Sequence, residues 1–97
     1  MFTIFQTEQA NKQLRKLRED KGLKNRYDSV VKSLRLLSSN PRHPGLHTHE
    51  FTSLQGPEGQ KVFTAYAEGS TPAAYRIFWY YGPGKDQITI ISITPHP

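Results

Sequence analysis

The chain has 97 residues, no cysteine, and thirteen Lys and Arg against eight Asp and Glu. That length fits one domain with one modest core. The lack of cysteine excludes disulfides and thiolate metal sites, and the formal charge of +5 favours a polyanion or an acidic protein as partner. Residues 2–6 alternate as a short edge strand does. Thr7 is a good helix N-cap, with Glu8 and Gln9 in the first turn. Ala10, Leu14, Leu17 and the stem of Lys21 then share one side of a helix that Gly22 can stop. A second helix is clearer, because Tyr27, Val30, Val31, Leu34 and Leu37 keep i, i+3, i+4, i+7 spacing until Asn40-Pro41. Few residues separate the two, so an antiparallel helical hairpin is expected. Residues 11–42 carry most of the positive charge: Lys12, Arg15, Lys16, Arg18, Lys21, Lys24, Arg26, Lys32, Arg35 and Arg42.

Residues 40–58 are rich in Pro, Gly and His and read as an ordered loop with at most a short strand over 47–54. Residues 61–68 alternate Phe63, Ala65 and Ala67 against Val62, Thr64 and Tyr66, and Gly69-Ser70-Thr71-Pro72 turns that strand into the next. The stretches 75–81 and 88–94 flank a Gly-Pro-Gly-Lys-Asp turn and have the composition of a hairpin. Tyr75, Ile77, Trp79 and Tyr81 share one face of the first strand, and Arg76, Phe78 and Tyr80 the other. In the second strand Ile88 and Ile90 oppose Ile91 and Ile93. Strands apolar on both faces belong in the middle of a sheet. The expectation is a single α+β domain over residues 1–97, an N-terminal strand and a helical hairpin on one face of a mainly antiparallel β-sheet. No apolar run is long enough to span a membrane and no signal peptide is visible, so a soluble, cytoplasmic protein is expected.

Arg76 is the one charge inside the apolar hairpin, and an unpaired buried charge is costly. Its partner is either an internal carboxylate, Glu68 or Glu50, or a phosphate from outside. His43, His47 and His49 invite a metal reading, but zinc needs further ligands that no HExxH or Cys/His pattern supplies, so no metal and no cofactor are expected. A phosphate loop, a serine elbow and a thiol nucleophile are all missing. What remains possible is phosphodiester cleavage in RNA, where histidine and arginine can serve as base, acid and phosphate clamp without a metal.

Asn40-Pro41 after a helical hairpin, then Leu54-x-Gly56, Tyr75-Arg76-Ile77-Phe78-Trp79-Tyr80, Ile88-x-Ile90-Ile91-x-Ile93 and a terminal His96 resemble the RelE/ParE superfamily of bacterial type II toxins. The resemblance implies a RelE/ParE-like fold, a cognate antitoxin as partner, and either cleavage of mRNA on the ribosome or poisoning of DNA gyrase. By position, Arg76 matches the arginine that contacts the scissile phosphate in the nucleases, and His96 a C-terminal histidine used as acid or for positioning. The general-base position falls at His49 or Glu50. Lys61 stands alone where several nucleases carry a Lys-rich segment. Lys61, Arg42, His47 and Tyr81 are the candidate substrate-binding residues, Tyr81 by stacking on a base. A non-catalytic basic interaction module is the alternative from another class, because an exposed strand edge recruits added strands.

Overall fold

The structure, a computed structural model, describes residues 1–68 and 74–95. In chain order the elements are β1 (Thr3–Gln6), α1 (Glu8–Glu19), α2 (Lys24–Ser39), β2 (His49–Gln55), β3 (Lys61–Tyr66), β4 (Tyr75–Tyr81) and β5 (Gln87–Pro95), with 3-10 turns at Lys21–Leu23 and Pro44–Leu46. The strands form one five-stranded sheet in the order β1-β5-β4-β3-β2. All neighbours run antiparallel except β1, which lies parallel to β5 at one edge. The expected α+β architecture is therefore the observed one, with the aromatic strand β4 at its centre. The turn expected over residues 69–72 lies outside the described residues, as does His96.

Each helix is formed and placed by a few identifiable residues. Thr7 caps α1, its Oγ1 accepting from the Ala10 N–H at 3.1 Å, while its hydroxyl donates to the Ile91 carbonyl at 2.7 Å. One side chain thus starts the helix and ties it to β5. α1 ends at Glu19, before Gly22, because Asp20 serves the next turn: its carboxylate accepts from the Gly22 N–H at 2.9 Å. α2 follows at once and ends at the expected Asn40. Leu17 of α1 and Val30 and Leu37 of α2 are fully buried against Ile77, Trp79 and Ile90 of the sheet. Truncating one of these to alanine costs about 2–5 kcal/mol.

The alternation expected in β5 fails at one point. Ile88, Ile90 and Ile93 all join the core beneath the helices, and they do not divide between two faces. A register shift opposite Phe78 and Trp79 inserts an extra residue in β5, so Ile93 pairs with Ile77 and Ile90 with Trp79. The backbone groups released there are taken up by α1: the Ile91 carbonyl accepts from Thr7 and the Ile93 N–H donates to Gln13 Oε1 at 2.7 Å. The other alternations hold. β3 and β4 pair Phe63 with Trp79 and Ala65 with Ile77 on the helix face, and Thr64 with Phe78 and Tyr66 with Arg76 on the opposite face.

Candidate functional site

Arg76 lies on the sheet face away from the helices and is only 6% exposed. Its guanidinium carbon sits 3.8 Å from the centroid of the Tyr66 ring, a stacked cation–π contact set by the Tyr66–Arg76 register. Nη1 makes long contacts to the carbonyls of Ala74 and Tyr75, at 3.4 and 3.3 Å. Neither expected carboxylate pairs with it. Glu68 accepts from the Tyr75 N–H at 2.8 Å and stands 3.9 Å from Arg26. Glu50 pairs with Lys61 at 4.0 Å. Among the described residues, the donors on Nε and Nη2 of Arg76 have no partner.

Arg76 lines a cavity of about 200 Å³ together with His49, Phe51, Thr64 and Phe78. Thr64 is 5% exposed and its hydroxyl has no hydrogen-bond partner. The register that pairs Thr64 with Phe78 and Tyr66 with Arg76 brings this second orphan donor to the same floor. Phe51 meets Phe78 edge-on with centroids 5.0 Å apart, forming an apolar wall. Pro95, the last described residue, borders the cavity too.

His49 opens β2 at the rim, its ring edge-on to Tyr66 at 5.9 Å. Its Nδ1 lies 2.9 Å from the His47 carbonyl. A carbonyl only accepts, so Nδ1 carries the proton and Nε2 of the neutral ring keeps its lone pair. The arrangement offers a proton acceptor beside a cation and a hydroxyl donor. A phosphodiester fits that set, with one phosphate oxygen on Arg76 and Thr64 and the attacking hydroxyl near His49. Among the described residues no group of three His, Asp or Glu is placed to hold a metal ion.

The other candidates separate from Arg76. β2 starts at His49, not at 47, because His47 takes the left-handed conformation with φ of 49°. From that start, alternation turns Glu50 to the face of Phe63, its register partner, opposite His49. Glu50 and Lys61 therefore form an edge pair outside the Arg76 cavity. Arg42 and Tyr81 line a different pocket, of about 370 Å³, on the helix face, together with Phe63 and Trp79. His47 touches both regions: its ring lies 5.2 Å from that of Tyr66, and it also lines the second pocket. Thr64, Tyr66, Phe51 and Phe78 are the contributors that sequence reading did not assign to the site. The strand alternation over 61–68 carried the signal for Thr64 and Tyr66, but only the register with β4 places them beside Arg76.

No family model and no curated protein match the sequence. Solved structures match over nearly the whole length. The RelE–RelB complex from Pyrococcus horikoshii OT3 aligns with a TM-score of 0.65 and 16% identity, covering 97% of this chain and 93% of that one. The YoeB/ParE toxin from Agrobacterium tumefaciens aligns with a TM-score of 0.70 and 9% identity, over 100% of both. The toxin–antitoxin complex RelBE of E. coli gives 0.65 and 14%, over 100% and 99%. The fold of this chain is the fold of RelE- and YoeB/ParE-type toxins.

Proposed function

We propose that this protein is the toxin of a type II toxin–antitoxin pair and a metal-independent endonuclease acting on ribosome-bound mRNA. The observation that carries the reading is buried Arg76, which lines a cavity and has no carboxylate paired to it among the described residues. An unpaired buried cation is costly unless an anion arrives to use it. In this reading Arg76 and Thr64 hold the scissile phosphate, and His49 Nε2 takes the proton of the attacking 2′-hydroxyl. His96 protonates the leaving oxygen, one of the two roles, acid or positioning, that the family resemblance gives it. The toxin–antitoxin assembly named for the Pyrococcus and E. coli structures supports an antitoxin partner here.

Primer extension on a reporter mRNA during induction tests the activity. Cuts within translated codons, absent when translation initiation is blocked, are expected. Intact transcripts with arrested replication would place the protein with gyrase poisons instead. One observation favours a non-catalytic interaction module: Lys61 and Glu50 pair at the sheet edge, which leaves Arg76 the only Lys or Arg lining its cavity among the described residues. Intact transcripts and unimpaired replication would support that reading.

A further inference from the structure

The second pocket lies on the helix face of the sheet and shares no described residue with the Arg76 cavity. Its floor is aromatic. Phe63 and Trp79 lie 5.0 Å apart, and Trp79 meets Tyr81 edge-on at 4.9 Å. Tyr81 is 40% exposed despite its place in the central strand, so this aromatic floor reaches solvent. Trp79 is fully buried, and its indole N–H has no hydrogen-bond partner.

The rim is basic, and no Asp or Glu lines the pocket. Arg42 is exposed and forms no ion pair among the described residues. His43 Nδ1 accepts from the Gly45 N–H at 3.0 Å, so the neutral ring carries its proton on Nε2 and keeps a donor there. The loop that presents them is rigidly held. Pro41 and Leu46 are buried, the Thr48 hydroxyl donates to the Pro41 carbonyl at 3.0 Å, and the Arg42 N–H donates to Asn40 Oδ1 at 3.1 Å. Such a loop loses little freedom when a ligand docks.

We propose that this pocket binds a nucleotide, its base against the Phe63–Tyr81 wall and its phosphate at Arg42 and His43. The volume of about 370 Å³ falls in the range of small-ligand pockets. An aromatic wall accepts any base through its π-face, and cations beside it select for the phosphate. This pocket is distinct from the Arg76 cavity, because Trp79 and Tyr81 lie on the face of β4 opposite Arg76.

The test uses the full chain labelled with nitrogen-15 and follows the indole N–H resonance of Trp79, the only tryptophan in the sequence. Titration with AMP moves that resonance saturably, with a dissociation constant of about 0.1–1 mM for a ligand held by one stacked ring and one phosphate. Arg42→Ala weakens AMP by about tenfold or more and leaves adenosine binding unchanged. Ribose 5-phosphate, which has no base, leaves the resonance in place. Thr64→Val, in the other cavity, leaves the AMP titration unchanged. A resonance unmoved at about 10 mM AMP overturns the proposal. An AMP affinity indifferent to Arg42→Ala, or one lost with Thr64→Val, overturns it equally. Tighter binding of a short oligoadenylate than of AMP assigns the site to a nucleic-acid strand, and equal or weaker binding assigns it to a free nucleotide.

Discussion

The two faces of β4 carry two kinds of unmet polar group, and the difference between them is instructive. On the helix-free face, Arg76, with no carboxylate paired to it, lines a small cavity with Thr64, whose buried hydroxyl has no partner, and with a histidine at its rim. On the helix face, the unpartnered group is the neutral indole N–H of Trp79, within an aromatic cluster and beneath a basic loop. The first arrangement concentrates one charge where water is scarce, which suits holding charge that develops during a reaction. The second spreads charge around an apolar floor, which suits binding. Arg76 and Trp79, three residues apart on β4, fall on different faces because successive side chains of a strand point to opposite faces.

Substitutions that act on one face and spare the other test this division. Arg76→Ala has the largest expected effect: loss of mRNA cleavage by about a thousandfold, as for the removal of a group that stabilises transition-state charge. No described carboxylate is stranded by that change, so the stability cost comes from the lost stacking on Tyr66 and the long contacts to the Ala74 and Tyr75 carbonyls, about 1–3 kcal/mol. A circular-dichroism melt beside the cleavage assay separates the two quantities. His49→Gln lowers cleavage by about a hundredfold, the contribution of a general base, with an unchanged melt at this exposed position. Thr64→Val lowers cleavage by about tenfold and leaves stability equal or slightly higher, because the buried hydroxyl it removes had no partner. Lys61→Ala is the smallest effect. It breaks an exposed pair with Glu50 at 4.0 Å, changes stability by less than about 1 kcal/mol, and leaves single-turnover cleavage unaltered.

The face assignments within β3 and β4 were legible in the sequence, because period-two alternation of aromatic and aliphatic residues fixes which side chains share a face. That alternation separates Arg76 from Ile77 and Trp79, the residues that the helices cover. The path of β5 was not legible. Its bulge depends on Thr7 and Gln13, which lie some eighty residues away in the chain and supply hydrogen bonds to Ile91 and Ile93. The site was legible in part for the same reason. Arg76 and His49 come together, but the strand containing His49 starts two residues later than expected. Neighbouring residues of a strand face opposite ways, so Glu50 turns from His49 to meet Lys61. Arg42 and Tyr81 look like members of the same site in a linear reading, since nothing local to the loop 40–48 says which face it covers. The orphan hydroxyl of Thr64 follows from cross-strand register, which pattern alone does not specify.

The central claim is that the open donors of Arg76 receive a phosphate. Its most direct test follows the Arg76 Nε–H resonance, identified by its loss in Arg76→Ala, while a 2′-O-methyl RNA trinucleotide is added. That ligand has the phosphates of the substrate but cannot be cleaved, because its 2′-hydroxyl is blocked. A saturable shift of the Nε–H resonance as the trinucleotide is added is the predicted result. A resonance that stays in place while the trinucleotide binds elsewhere on the protein would contradict the account.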